Sequence, residues 1–167
     1  LDEDYIKNAL VSQLDVFKRK FGYLPDFLDG HQHVHSFPLI NQVVSKVLSK
    51  YEYTGWVRNV GTKDPLYFIQ SIKHSYFKKF LVLQVLAFFH RRNLKKNNIL
   101  HNTNFHGLLP LTNPPKLEIA LPALYDSSFP ISTVIMCHPG SLLGASSSDH
   151  PSKSRDIEFK FLSSRSI

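Results

Sequence analysis

The stretch GYLPDFLDGHQHVHSFP, Gly22 to Pro38, decides how the rest of the chain is read. Gly22 is placed to stop a preceding helix in a left-handed conformation. Tyr23-Leu24-Pro25 turns the chain, and Asp26 to Asp29 reads as a short strand. Pro38 then opens another helix, because proline is welcome in a first turn. Between strand and helix lie His31, His33 and His35, three of the nine histidines in the chain. Side chains alternate across an extended strand, so Asp29, His31, His33 and His35 are expected on one side if the chain stays extended. Neutral imidazole is the commonest metal ligand, and a nearby carboxylate can orient or complement it. There is no HExxH on a helix and no cysteine pair, which argues against a closed structural zinc site.

Outward from this stretch, helices and strands alternate. Residues 2–21 form one amphipathic pattern, with Ile6, Leu10, Leu14, Phe17 and Phe21 on a single helical face and Asp2 or Asp4 as cap. Pro38 to Tyr51 repeats that spacing through Ile40, Val43, Val44, Val47 and Leu48. Tyr53 to Asn59 reads as a strand and Gly61 to Pro65 as a loop. A helical region is expected over Leu66 to Asn93, broken near Ser75, and a short strand over Asn98 to His101. Residues 102–130 lack a clean period, apart from one helix within Lys116 to Leu124. Ser132 to Cys137 reads as a buried strand, followed by a loop of small and polar residues and a last helix over Arg155 to Ser164. This alternation predicts an α/β fold with right-handed βαβ units and a parallel sheet, either open or a (β/α) barrel. In both, function gathers at the carboxyl ends of the strands.

Composition removes several classes. The chain has 167 residues, 43% of them apolar, which suits one folded domain and shows no internal repeat. The single cysteine, Cys137, permits no internal disulfide and fits a reducing, cytoplasmic setting. The opening LDEDYIKNAL is acidic and helix-like, unlike a secretory signal. Phe80 to Phe89, FLVLQVLAFF, is too short to span a bilayer and carries Gln84, so it reads as a buried helix and no membrane partner is expected. The net charge of +7 sits in clusters, Lys18-Arg19-Lys20, Lys78-Lys79, Arg91-Arg92 and Lys95-Lys96, each near a helix end where cations suit the dipole. No zinc-finger spacing or RNA-binding aromatic motif accompanies them, so nucleic acid is not expected as a partner.

Further candidates fall at strand and helix ends. In VIMCHPG the strand delivers His138 to its carboxyl end, where an imidazole titrating near neutrality serves as general acid or base or packs the strand end. Arg155 and Glu158, three apart on the last helix, can pair. Arg58 closes YTGWVRN at a strand end, facing a ligand or solvent. In NTNFHGL, Phe105 and His106 before Gly107 can wall a loop over a sugar, or Phe105 can join the core.

Taken together, these residues resemble the signature of the YdjC-like carbohydrate deacetylases. That signature has a glutamine and an aromatic upstream, here Gln13 and Phe17. It continues with the positions filled by Gly22, Pro25, Asp29, His31, His33, His35 and Pro38. His138 stands in a strand ending in His-Pro, Arg155 and Glu158 match the following arginine and glutamate, and Phe105 and Gly107 match the middle segment. The resemblance implies hydrolysis of N-acetyl groups on amino sugars, such as chitin-derived oligosaccharides, within a distorted (β/α) barrel. It implies a divalent metal held by one aspartate and two histidines, Mg²⁺ ahead of Zn²⁺, with His31 as one ligand. His138 is then the acid that protonates the leaving amine. Asp29, His33, His35, Arg58, Phe105, Arg155 and Glu158 are expected to support the site or bind substrate. The family's Asp-Asp pair and second ligand histidine lie in an N-terminal third with no counterpart here. The chain is therefore expected to be one partial domain, 1–167, of an incomplete barrel lacking its N-terminal strands and last strand. Whether it acts alone, or as a homodimer, stays open on the sequence. The alternative is a truncated, non-catalytic relative that binds a sugar or a partner.

Overall fold

Asp2 caps the first helix with its own carboxylate, Oδ1 accepting from the Asp4 amide at 3.3 Å. In the computed structural model, which describes residues 2–73, 77–125, 130–140 and 152–164, this helix α1 runs Glu3–Phe21. Gly22 ends it at φ 83°, donating to the Lys18 carbonyl, a backbone that costs glycine little. The remaining elements in order are β1 (Phe27–Leu28), a 3₁₀ turn (His31–Ser36), α2 (Pro38–Lys50), β2 (Trp56–Val57), α3 (Pro65–Lys73) and α4 (Phe77–Lys96). They are followed by β3 (Leu100–His101), β4 (Asn104–His106), α5 (Pro114–Tyr125), β5 (Thr133–Ile135) and α6 (Ser152–Ser163). The break expected near Ser75 lies outside the described residues, as does most of the loop after Gly140.

The chain divides into two units, one of residues 1–63 and 82–104, the other of residues 64–81 and 105–167. In the first, β1, β2 and β3 form a parallel sheet in that order, with Phe27 opposite Trp56 and Trp56 opposite Leu100. Leu28, Val57 and His101 form the next row. One face carries the core: Val57 packs with Leu14 of α1, Val43, Val44, Val47 and Leu48 of α2, Leu94 of α4 and Ile99. The α1 stripe is buried at Leu14, half-buried at Phe17 and exposed at Phe21. Fully burying such an aliphatic side chain stabilises by roughly 1.5–3 kcal/mol, so this layer fixes where α1 and α2 sit on the strands.

In the second unit, β4 and β5 pair in a two-stranded sheet, and α5 packs on α6 through Leu111, Leu117, Leu121, Ile157 and Phe161. Ser154 ties them further, donating to the Leu111 carbonyl at 2.5 Å. The fold is therefore α/β with short parallel strands, as the sequence predicts, but the described strands form two small sheets and do not close a barrel.

Three local expectations change. The segment Phe80 to Phe89 is helical but covered on one side only. Leu83 and Ala87 are buried, whereas Val82, Val85 and Phe88 are 59%, 59% and 64% exposed. Residues Ser132 to Cys137 give a strand of three residues, half-buried rather than buried, which among the described residues pairs with β4 alone. A strand at Asn104–His106 appears within the stretch that lacked a period.

Candidate functional site

The carboxyl ends of β1 and β2 lie side by side, since the ladder continues from Trp56 N–H to Asp26 carbonyl (2.9 Å) and Arg58 N–H to Leu28 carbonyl (3.1 Å). Asp29 and Arg58 therefore follow their strands as neighbours. Arg58 Nη2 lies 2.6 Å from Asp29 Oδ1 and donates to His33 Nδ1 at 3.0 Å. It also reaches the Gly30 carbonyl at 3.4 Å. Burial lowers the Arg58 pKa, and Asp29 opposes that shift by charge and hydrogen bond. The guanidinium supplies a fork of fixed donors, which suits it to several acceptors at once.

The histidines do not continue the strand. Gln32 (φ 50°) and His33 (φ 65°) adopt left-handed backbone, curling the segment into a 3₁₀ turn closed by His33 N–H to the Gly30 carbonyl at 3.0 Å. The alternation expected of an extended chain is lost, and the three imidazoles part ways. His31 is exposed, while His33 and His35 are buried. His35 Nδ1 accepts from the Gly30 amide at 2.9 Å, and Nε2 donates to the Arg58 carbonyl at 2.7 Å. That pattern fixes the neutral Nε2–H tautomer, and burial lowers its pKa in the same sense. The ring is a brace between the turn and the end of β2. Gly30 is required for it: a Cβ there would stand 2.7 Å from His35 Nδ1 and 2.9 Å from its backbone nitrogen.

Beneath the turn lies a histidine that the sequence reading did not single out. His90 of α4 is fully buried, its Nδ1 3.3 Å from Ser36 Oγ and its ring edge-on to His35 at 5.2 Å. Its Nε2 has no hydrogen-bond partner among the described residues, and burial, with His35 and His101 nearby, pushes its pKa down to about 3. The spacing Leu83, Ala87, His90, Leu94 along α4 is the signal that places it on the inner face.

In the second unit the carboxyl ends of β4 and β5 adjoin, Met136 N–H donating to the His106 carbonyl at 3.0 Å. His138 follows β5. Its backbone N–H donates to Glu158 Oε2 at 2.8 Å. Glu158 is fully buried, and its Oε1 has no hydrogen-bond partner among the described residues. Burial raises its pKa, partly offset by the His138 N–H and the Arg155 charge. Glu158 and Arg155 do not close into the ion pair that their spacing allows. Arg155 instead returns its carbonyl to the Gly140 amide at 3.1 Å, bracing the turn after His138. Phe105 is 1% exposed within β4, so it is core and not a loop wall. Its neighbour His106 places Nε2 3.3 Å from Asp64 Oδ2 and stacks on Tyr67 at 4.0 Å. Sequence reasoning passed over that carboxylate–imidazole contact, because Asp64 and His106 are far apart in the chain.

Metal binding is a test these residues meet poorly. Among the described residues no three His, Cys, Asp or Glu groups gather to hold an ion. Asp29 is bonded by Arg58, and both ring nitrogens of His35 are engaged. His31 is exposed.

The chain is of the α/β class, with an aspartate–arginine contact just past the carboxyl ends of adjacent parallel strands. Within that class the chain belongs to the YdjC-like protein family, whose model matches residues 1–167. A human carbohydrate deacetylase is 37% identical over 51 residues, which are 30% of this chain and 16% of the length of that protein. No solved structure matches the chain. Among the described residues no helix is long and apolar enough to cross a membrane.

Proposed function

We propose that this chain contributes the sugar-facing part of a carbohydrate deacetylase that hydrolyses the acetamide of an N-acetylated amino sugar or chitin-type oligosaccharide. The observation that carries this reading is the Asp29–Arg58 contact of 2.6 Å at the ends of adjacent parallel strands, in a family with a carbohydrate deacetylase among its similar proteins. Asp29 and Arg58 offer an acceptor and a donor of the kind that orients hydroxyl and amide groups. In the reaction, water adds to the acetamide carbonyl and the C–N bond breaks. By the family resemblance, His138 of the second unit is assigned the proton for the departing nitrogen, with acetate and a free amine as products. Glu158 holds the His138 backbone in place for that transfer. A divalent ion, Mg²⁺ ahead of Zn²⁺ with His31 as this chain's donor, belongs to the reading through family resemblance. The other donors are not among the described residues, and no step is routed through the ion. A cytoplasmic location and a homodimer complete the proposal.

The second reading is a sugar-binding relative without catalysis. It is favoured by the engagement of Asp29 with Arg58 and of His35 with the backbone, which leaves these groups bracing the turn. Acetate release from diacetylchitobiose with Mg²⁺ or Zn²⁺ decides between them. The deacetylase reading expects release that falls in both His31→Ala and His138→Ala. Binding of the disaccharide with no acetate from the folded protein selects the second.

A further inference from the structure

Helix α4 carries a second pattern besides the one that faces the core. Val82, Val85, Phe89, Arg92 and Lys96 follow one another three or four residues apart, and Lys78, four before Val82, continues the series at the helix start. Strict alternation of four and three is the 3.5-residue period of a coiled-coil seam, the line along which a second helix lies. The seam faces solvent: Val82 and Val85 are more than half exposed, Phe89 is 49% exposed, and Arg92 and Lys96 are exposed. Phe88 widens it, its ring edge-on to Phe89 at 5.4 Å. The opposite side of α4, at Leu83, Ala87, His90 and Leu94, is the buried one, so packing within the protein does not account for the apolar residues of the seam.

The charge of the helix is one-sided. Phe77–Lys96 opens with Lys78-Lys79, closes with Arg91-Arg92 and Lys95-Lys96, and contains no Asp or Glu. We propose that the seam docks a helix of a partner protein that is apolar over two turns at the same spacing and acidic at both ends of that stretch. The charges choose the occupant. A second copy of α4 laid parallel would set Arg92 and Lys96 against themselves, and laid antiparallel would set them against Lys78, so like charges meet either way. On a helix lying in a bilayer surface, cations occupy the polar face and the apolar stripe runs free of them. Here Arg92 and Lys96 stand in line with the stripe. Carboxylates at the two ends of a partner helix meet these cations directly and fix its register. Two turns of apolar contact make a small interface, which places the complex among transient ones, with Kd roughly in the micromolar range. The inference stands apart from the deacetylase reading.

The probe is a labelled three-heptad peptide with leucine at the central seam positions and glutamate at both ends of the seam. Its counterpart has lysine in place of each glutamate. Each is titrated with the full chain and followed by fluorescence anisotropy. The acidic peptide should bind saturably and at least tenfold more tightly than the lysine peptide, with the preference shrinking as salt is raised. Phe89→Ser should weaken binding of the acidic peptide about tenfold or more with the urea midpoint unchanged, since Phe89 lies on the surface. Arg92→Glu with Lys96→Glu should reverse the preference between the peptides. Equal binding of the two peptides, no binding of either, or an unaltered Phe89→Ser variant overturns the proposal. Sedimentation of the chain with phosphatidylserine vesicles in place of peptide binding also overturns it, and assigns the seam to a membrane surface. Self-association that Phe89→Ser abolishes overturns it in favour of a second copy.

Discussion

Arg58 Nη2 holds Asp29 Oδ1 at 2.6 Å and His33 Nδ1 at 3.0 Å, so one guanidinium nitrogen joins the ends of β1 and β2 to the turn between β1 and α2. Removing it takes the guanidinium from a buried imidazole and from a carboxylate that keeps the Gly30 amide at 2.6 Å. Asp29 is 34% exposed, so water repays part of that loss. Arg58→Ala is expected to destabilise the fold by about 1–3 kcal/mol. Arg58→Lys should recover little, because an ammonium on a flexible stem does not reproduce the fork. Urea unfolding checks this: the midpoint should fall with an unchanged slope, and a lysine variant as stable as the parent would contradict the shared-donor role.

His90 makes stability depend on acid. Its ordinary value is 6.5 and its folded value about 3, so between those values the unfolded chain binds the proton and the folded one does not. The contribution is complete above pH 6.5 and is lost as pH falls toward 3. The groups facing it, His35 and His101, have pKa values lowered by burial and act in the same direction. His90→Leu should therefore flatten the acid limb of a stability–pH curve, by up to about 5 kcal/mol at full swing. Thermal unfolding at pH 7 and pH 5 measures it; parallel losses in parent and variant would assign the acid limb to other groups.

How far the sequence could be read depended on the range of the forces involved. The α1 and α2 helices, Gly22 and the strand at Phe27–Leu28 follow from local periodicity and caps, and were legible. The histidine segment was not, because its conformation is set by a distant partner. Arg58 draws His33 inward and His35 reaches the Arg58 carbonyl, and both contacts span more than twenty residues. Strand alternation is a rule for extended backbone, and Gln32 and His33 leave it. The same limit hid Asp64–His106, a contact across 42 positions with no local pattern. The fate of Phe105 turned on tertiary burial, which composition around it does not encode.

Gly107 sits at φ 99°, and a Cβ there would collide with the carbonyl oxygen and amide nitrogen of Met136, the backbone that joins β4 to β5. Neither partner is a flexible side chain, so the strands would have to part. Gly107→Ala is expected to cost about 2–4 kcal/mol, from the positive φ and the clash together. By contrast Gly22→Ala, with φ 83° but nothing within 4 Å of the added Cβ, should cost only about 1 kcal/mol. Chemical denaturation of the two variants side by side tests the difference, and equal losses would mean that the β4–β5 contact does not constrain Gly107.

Glu158 couples the His138 strand end to pH in the opposite sense from His90. Its Oε2 accepts the His138 amide at 2.8 Å, its Oε1 has no hydrogen-bond partner among the described residues, and burial raises its pKa. The folded state thus holds the proton more tightly than the unfolded one. The associated stability is present below the ordinary carboxylate range and is lost as pH rises through the raised folded value. Glutamine imitates the protonated acid and keeps an oxygen for the His138 amide. Glu158→Gln should match the parent at pH 4 and exceed it by about 1 kcal/mol at pH 8, where the parent must bury an ionised, half-satisfied carboxylate. Urea unfolding at the two pH values reads this directly. A variant weaker than the parent at pH 8 would show that the charge itself stabilises the strand end, and Glu158 would then be an ionised anchor and not a proton store.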